Sequence, residues 1–305
     1  MTAGAEGLGE EAPALTYASV SGRTRRRLIF DRFIPWLLPL AFVVVLFPLF
    51  DMIFWVAQKA VPTFTLATLT ETQVGFGGGL YSMILGTLVL IAIGTAIATG
   101  IGMAAGFYTA EYAPRPVATF GRLAGNILAG VPAIVLGYFG YYLLVLYTNW
   151  GFTTLAGGIV LGIFMTPYVY RTTDLALTSV PPTQREAALA MGARPRQYLL
   201  RIAFPIALPT VLTGIFFAMA LGLGEAAPIV YTAGWSSTPI TGLMQPTSFL
   251  TGAIWLFYDL PPSEGTLLTL AFQAAFLLIL IVLGLNVIVQ LLSDRFRRRL
   301  QGLFE

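Results

Sequence analysis

The sequence predicts an all-α integral membrane protein with six transmembrane helices and with both termini in the cytoplasm. The first observation is composition: of 305 residues, 57% are hydrophobic and only 10% are charged, whereas soluble domains carry roughly 25% charged residues. The second is the presence of six apolar runs of the length that crosses a hydrocarbon layer of about 30 Å. The third is an uneven distribution of arginine between successive loops, which indicates the orientation.

The six apolar runs define the predicted spans. The second run is long and the fourth is short, so we expect each of these helices to be tilted or to extend beyond the hydrocarbon layer. The predicted spans are residues 36–57, 80–108, 123–147, 155–170, 206–229 and 267–292.

The basic residues alternate with these spans. Of the 17 lysines and arginines, 16 precede span one, connect spans two and three, connect spans four and five, or follow span six. Only Lys59 falls on the opposite side. Because translocated loops are depleted of both residue types, we predict a disordered, basic cytoplasmic tail over residues 1–35. Residues 36–292 are the predicted transmembrane domain, and 293–305 a basic cytoplasmic tail.

The residue types that the chain lacks exclude several function classes. The sequence has no cysteine and no histidine, which excludes a disulfide framework, cysteine-ligated zinc and histidine-ligated haem. We therefore expect no metal site. A membrane enzyme is the least favoured class, because no Ser/His/Asp set or paired carboxylates are visible. The net charge of +3 does not indicate a nucleic-acid partner, since topology accounts for the arginines.

The single lysine bears on nucleotide chemistry. The glycine-rich segment 75–79 lacks the lysine and the Ser/Thr of a phosphate-binding loop, and Lys59 is the only lysine in the chain. No catalytic residue of an ATPase is therefore expected here. If ATP drives the activity of this protein, another polypeptide hydrolyses it, and we expect this chain to bind no cofactor.

A capped helix is predicted in the loop between spans four and five. Pro181 and Pro182 set the approach to it. Thr183 is the predicted N-cap residue, and Glu186 three residues later completes a capping box. We therefore expect a short helix that faces the cytoplasm.

The rest of this loop predicts an elbow. Ala187 and Ala188 give the helix a low surface that another protein can approach closely. Gly192 suits a left-handed residue that ends the helix, and Pro195 can open the next helical turn. An ordinary surface helix between two spans would show the same features, so spacing alone leaves both interpretations open.

The same loop resembles the EAA loop of bacterial ABC importer permeases. The matched positions are Glu186-Ala187-Ala188, Gly192 and Ile202-Ala203-Phe204-Pro205. Phe204 is the one departure, since leucine is usual there. The resemblance implies a type I ABC importer permease fold in which residues 181–205 form a coupling loop that docks on the ATPase subunit. The coupling positions that it implies are Thr183, Glu186, Ala187, Ala188, Gly192 and Pro205.

Further segments resemble the phosphate permease subunits of the PstA type. The likeness covers residues 78–232 and the last helix, and it is weak over the first 35 residues. It is carried by Leu85-Gly86-Thr87, Tyr108-Thr109-Ala110-Glu111-Tyr112-Ala113 and Gly224-Glu225-Ala226-Ala227-Pro228. Leu221 stands where the resemblance leads us to expect arginine. The resemblance implies phosphate as the substrate, with sulfate, molybdate, sugars and amino acids as alternatives.

The resemblance also implies an assembly in the bacterial cytoplasmic (inner) membrane. Its implied members are a second permease subunit in a heterodimer, two ATPase subunits that hydrolyse ATP, and a periplasmic or extracytoplasmic phosphate-binding protein. The lipid bilayer is the remaining partner, and no nucleic acid is expected. The alternative from another class is a channel or secondary transporter, which ATP-independent flux through this subunit alone would indicate.

Two carboxylates fall within the apolar runs, where an ionised group costs roughly 2.5 to 3.5 kcal/mol at the bilayer centre. Asp51 lies near the outer end of span one, where contact with water explains it. Glu225 lies beside Gly224 toward the far end of span five. The glycines there permit close approach of a helix or an opening to substrate. A role of Glu225 and Gly224 in the translocation pathway or gate and a role in interface pairing both stay open.

Small residues repeat at i and i+4 within two of the spans. The pairs are Gly102 with Gly106 and Gly158 with Gly162. Such pairs let helices approach closely. We favour packing inside one subunit over dimerisation through these surfaces.

Overall fold

The computed structural model describes residues 22–75, 77–260 and 265–301, with side chains described for 39–75, 77–260, 265–291, 293 and 295. The chain divides into two compact units, one ending at Trp55 and one beginning at Val56. The first unit consists of most of helix α1 (Gly22–Ala60). The predicted disorder of residues 1–21 lies outside the described residues.

Helix α1 begins well before the predicted start of span one. Its first turns are rich in arginine, which is a good helix former, so the basic segment and the apolar span form one continuous helix from Gly22 to Ala60. The segment 22–35, predicted as a disordered tail, is therefore helical. A 3-10 turn, Val61–Thr63, follows α1.

Short elements connect this turn to the second long helix. They are α2 (Leu66–Thr70) and an antiparallel hairpin of β1 (Gln73–Val74) and β2 (Gly77–Gly78). In the hairpin Gln73 lies opposite Gly78 and Val74 opposite Gly77. Helix α3 (Tyr81–Phe107) then continues into a π-helical turn, Tyr108–Tyr112.

Helices α3 and α6 (Thr154–Thr178) run parallel to each other through the centre of the second unit. Gly94 of α3 lies against Leu161, and Gly106 lies against Thr173, so both helices advance in the same direction. A methyl group at Gly106 would come within 2.7 Å of the Thr173 side chain. Close approach of the two backbones thus requires the glycine.

The predicted glycine pairs lie in this same contact. Gly158 faces Ile93 and Gly162 faces Ile97, in each case with less than 3.0 Å available to an added Cβ. Gly102 is equally close to the backbone of Tyr170. The preference for packing within the subunit is therefore confirmed for these pairs.

Helix α6 is longer than the fourth predicted span, which ended at residue 170. It continues to Thr178 and contains Pro167. The sequence prediction stopped early because Arg171 and Asp174 are charged. The structure buries Asp174 at 4% exposure with cationic and hydroxyl partners, so the helix can extend past it.

Helices α9 (Phe204–Gly224) and α12 (Gly265–Gln301) complete the bundle. Gly214 of α9 lies against Thr172 and Gly222 lies against Met165, so α9 runs antiparallel to α6. The Thr213 and Ser293 hydroxyls are 2.8 Å apart. Gly224 of α9 and Leu278 of α12 line the same cavity. Since Thr213 lies near Ser293 and Gly224 near Leu278, α12 runs antiparallel to α9. We call the end where α3, α6 and α12 terminate and α9 begins the basic end.

The third predicted span, residues 123–147, is not one helix. Helix α4 (Arg115–Ala129) and α5 (Ala133–Gly140), which continues as a π-helical turn over Tyr141–Tyr147, meet at an angle of 91°. Pro132 precedes α5 and has no N–H to donate to the preceding turn, and Gly130 ends α4. The single helix predicted over 123–147 is therefore wrong, and the two helices together count as at most one broken span.

Side chains from α3, α6, α9 and the short α10 (Ala227–Ala233) form the central core. A second cluster joins the start of α3 to α11 (Leu250–Tyr258) and α12. The Leu250 N–H donates to the Thr87 hydroxyl at 2.9 Å, which fixes α11 on α3.

Among the described residues, four helices are long and apolar enough to cross a membrane, and the bent α4–α5 pair raises the number to five if it counts as one span. The four are Pro39–Thr63, Tyr81–Tyr112, Pro195–Gly224 and Gly265–Leu291. The protein is thus a mostly helical, multi-pass membrane protein.

Candidate coupling and translocation site

The loop between α6 and α9 contains the predicted helix, α7 (Pro182–Ala190). The predicted capping box is wrong, because Pro181 occupies the N-cap position and no side chain caps the helix. Thr183 lies one residue inside the helix. Proline at the first helical position has the required φ and lacks an N–H that would otherwise need an acceptor, so the helix begins without Thr183 or Glu186 as a cap.

The predicted elbow after α7 is confirmed. Gly192 has φ +81°, a backbone conformation that residues with a Cβ rarely adopt, and open space lies where a Cβ would be. Pro195 then begins α8 (Pro195–Tyr198). The Gln197 side chain accepts a hydrogen bond from the Arg194 N–H at 2.8 Å. A π-helical turn, Leu199–Ala203, leads into α9, where Pro205 is exposed in the first turn.

Helix α7 has one buried side and one exposed side. Ala188 is 8% exposed and packs with Val180 and Tyr198 against the ends of α6 and α9. Ala187 and Glu186 are exposed, and so is Met191 just after the helix. The exposed side therefore carries charged, small and apolar groups, while Ala188 holds the helix on the bundle.

An ion pair that the sequence analysis missed fastens α7 to the end of α3. Glu111 lies in the π-helical turn Tyr108–Tyr112, and its Oε1 is 3.0 Å from Nη2 of Arg185. The Glu111 side chain is only 10% exposed, and that of Arg185 is 50% exposed. Both residues lie in segments that resemble the permease families, but nothing in the sequence pattern predicts that they form a pair.

The same π-helical turn contacts a second ion pair, which is formed by Arg122 and Asp174. Asp174 of α6 accepts hydrogen bonds from Nε of Arg122 at 2.7 Å and from its Nη2 at 3.2 Å. The Thr109 hydroxyl donates to Asp174 at 3.0 Å. The turn therefore joins the ends of α3, α4, α6 and α7. Asp174 was missed because it fell in a predicted loop.

Glu225 lies at a break in the fifth predicted span. Helix α9 ends at Gly224, Glu225 is extended with φ −82° and ψ 130°, and α10 begins two residues later. The continuous helix predicted over 206–229 is therefore wrong. Pro228 accounts for part of the break, because its ring cannot donate to the preceding turn. The Thr251 hydroxyl donates to the Glu225 carbonyl at 2.8 Å, which replaces a helical donor.

A cavity of about 440 Å³ opens beside this break. Its lining includes Gly224 and Ala226 at the break, Thr251 and Trp255 of α11, and Asp259, which directly follows α11. Within the described residues, Glu225 forms no ion pair. Leu221, the position where arginine was expected, packs on the central core. The predicted pair Gly224 and Glu225 thus lies where the backbone leaves helical geometry next to open space.

Comparison with known proteins identifies the family. Residues 101–302 match the family described as the binding-protein-dependent transport system inner membrane component. The chain belongs to this family. The match includes residues 181–205, the predicted coupling loop, and the break at Glu225. Membership makes the chain a membrane component of an ABC transporter that works with an ATPase and a substrate-binding protein.

Curated relatives and solved structures agree with this family. The phosphate transport system permease protein PstA 2 of Mycobacterium bovis is 41% identical over 259 residues, which covers 84% of this chain and 85% of the relative. The phosphate transport system permease protein PstA of Haemophilus influenzae is 32% identical, covering 82% and 88%. An inward-facing structure of the MetNI methionine ABC transporter has a TM-score of 0.57 at 19% identity, covering 71% of this chain and 95% of that one. This last match supports the type I importer permease fold.

Proposed function

We propose that this chain is the permease subunit of an ATP-driven inorganic phosphate importer in the bacterial inner membrane. The observation that carries the proposal is identity of 41% over 84% of the chain with a phosphate transport permease. The elbow at Gly192 and the exposed side of α7 supply the surface that such a subunit presents to an ATPase. ATP is hydrolysed by that partner, and this chain contributes half of the translocation pathway.

The proposed assembly contains a second permease subunit, two ATPase subunits and an extracytoplasmic phosphate-binding protein. In this assembly α7 with Glu186 and Ala187 contacts the ATPase, while Ala188 and Gly192 maintain the elbow. Thr183 and Pro205 lie at the two ends of this surface. The exposure of Glu186, Ala187 and Met191 supports this assignment.

The proposed topology has six spans with both termini in the cytoplasm. The antiparallel order of α6, α9 and α12 and the parallel order of α3 and α6 support it, since each reversal fits one crossing. The α4–α5 pair is then a broken third span, and α6 the fourth. Non-helical backbone at membrane depth is tolerated where protein or a water-filled cavity surrounds it.

The proposed role of Glu225 and Gly224 is to line or gate the phosphate pathway. Helix breaks at ligand sites are common in transporters, and the cavity beside Gly224 supports this role. Phosphate keeps a hydroxyl at neutral pH. A carboxylate can accept a hydrogen bond from it, whereas fully ionised sulfate has no such donor.

The proposed function is tested by transport in proteoliposomes. The chain is purified with its partner permease, ATPase and binding protein, and uptake of phosphate and of sulfate is followed with and without internal ATP, on the side where the ATPase lies. We expect uptake of phosphate that requires ATP and the binding protein, and little uptake of sulfate. ATP-independent flux would indicate a channel or secondary transporter, and ATP-driven uptake of another solute would overturn the choice of phosphate.

A further inference from the structure

The π-helical turn Tyr108–Tyr112 connects two ion pairs through the side chains of Thr109 and Glu111. Glu111 contacts Arg185 of α7, and Thr109 contacts Asp174, which in turn binds Arg122 of α4. The turn differs from an α-helix by its wider hydrogen bonding, as in the 2.8 Å bond from the Ala113 N–H to the Tyr108 carbonyl. Single π-helical turns of this kind occur often at functional sites.

We propose that Glu111 and Arg185 are positioning residues that transmit movement of α7 to α3 during the transport cycle. The proposal rests on the proposed function, because it assigns a route between the ATPase-facing helix and the helices of the pathway. Among the described residues, this is the only ion pair that α7 forms. Apolar contacts around Ala188 also hold α7 against the bundle.

The two kinds of contact that α7 makes with the bundle resist movement differently. Apolar contacts such as those of Ala188 are non-directional and allow one surface to slide over another. An ion pair with one nearly buried partner resists separation, because breaking it leaves an uncompensated charge, which is costly. Glu111 is the nearly buried partner. A displacement of Arg185 is therefore transmitted to Glu111 at the end of α3.

Further contacts near Glu111 lead to the other helices. Phe107, just before the turn, makes an edge-to-face contact with Phe204 at the start of α9, with ring centroids 5.3 Å apart. Tyr198, which is 4% exposed, lies close enough to interact electrostatically with both charges of the pair. Movement of α7 thus reaches α3 directly, α9 through the aromatic pair, and α4 and α6 through Asp174.

The test uses the complete complex in proteoliposomes and measures phosphate transported per ATP hydrolysed. For Glu111→Gln and Arg185→Gln we expect the ATPase subunits to co-purify with the permease and ATP hydrolysis to continue. The ratio of transport to hydrolysis should fall by about fivefold, as expected for loss of one specific pair interaction. Glu71→Gln and Arg115→Gln remove one exposed charge of each sign outside the pair and should leave the ratio unchanged.

A charge-exchanged variant separates the effect of the pair from general damage. Glu111→Arg combined with Arg185→Glu reverses the pair, and we expect it to recover much of the lost ratio, which damage from either substitution alone does not explain. If Glu111→Gln does not accumulate in the membrane, Arg185→Gln tests the pair from its half-exposed end.

Each outcome decides the proposal. An unchanged ratio in the single variants overturns it, and so does loss of the ATPase subunits from both, because the pair would then serve docking instead of transmission. Absence of any recovery in the charge-exchanged variant overturns it as well. A wild-type complex that hydrolyses ATP but takes up no phosphate would instead contradict the proposed function, independently of these variants.

Discussion

Asp174 and Glu225 show how neighbours decide what an acidic residue does among apolar helices. Asp174 is nearly buried, and its carboxylate binds Arg122 and Thr109. Its role is structural, since the hydrogen bonds that its carboxylate accepts join α6 to α4 and to the π-helical turn. Glu225 is only partly buried and, within the described residues, has no cationic partner. An ionisable residue without such a partner inside a membrane span is a candidate functional residue.

Glu225→Gln tests this functional role. The substitution keeps the shape of the side chain but replaces an acceptor-only group with one that also donates. We expect ATP-dependent phosphate uptake to fall by about tenfold or more, the range for losing a hydrogen bond to a charged group. Uptake into proteoliposomes measures this, with Glu71→Gln as the exposed control.

The state of the complex separates the two roles of Glu225 that the sequence left open. With a pathway role, Glu225→Gln still co-purifies with the partner permease and the ATPase. A complex that falls apart would assign Glu225 to interface pairing, and uptake at the wild-type rate would contradict a pathway role altogether.

At the scale of elements, the existence of helices was predictable and their interruptions were not. The apolar runs at α3 and α12 are continuous, and both became long helices. The runs at residues 123–147 and 206–229 are equally apolar, yet both contain a break near proline. Hydropathy measures how well side chains fit a lipid environment and contains no information on backbone hydrogen bonding. It therefore cannot distinguish a broken span from a straight one.

Local residue patterns also failed to predict how α7 begins. The residue pattern of a capping box was present at Thr183 and Glu186, but two preceding prolines begin the helix without a side-chain cap. Gly192 was predictable, because few other residues adopt a positive φ at low cost. The Glu111–Arg185 pair was not, since it forms only when two distant segments fold together.

Gly192→Val tests the elbow. At φ +81° a β-branched residue is strained, which costs of the order of 1–3 kcal/mol, and relief of the strain redirects α8 relative to α7. We expect weaker co-purification of the ATPase subunits and correspondingly lower ATP-dependent uptake. Gly192→Asn is the matched control at the same position, because asparagine tolerates this conformation better, and its effect should be smaller. Equal behaviour of the valine variant and the wild type would contradict a role for the elbow in coupling.

At the scale of the whole molecule, the distribution of arginine and the course of the helices point to the same orientation. The described helices α3, α6, α9 and α12 meet at the basic end, and the sequence places arginines next to each of these helix ends. The two lines of argument are independent, because one depends on charge in loops and the other on side-chain contacts between helices. The position of the amino terminus depends on the charge pattern alone.

Single-cysteine labelling tests this orientation, and the natural absence of cysteine makes the wild type a ready background. Cysteines are introduced one at a time in place of Arg25, Arg196, Arg298 and Ser263, and intact cells are treated with a thiol reagent that does not cross the membrane. We expect the first three to be protected until the cells are opened, because positively charged segments stay in the cytoplasm, and the cysteine at 263 to be labelled at once. Labelling of the cysteine at 196 in intact cells would place α7 and α8 outside, where no ATPase could reach them. It would thereby contradict the six-span topology and the assignment of α7 as the coupling helix together. Labelling of the cysteine at 25 alone would contradict only the predicted orientation of the first span, since the relative directions of α3 to α12 do not depend on it.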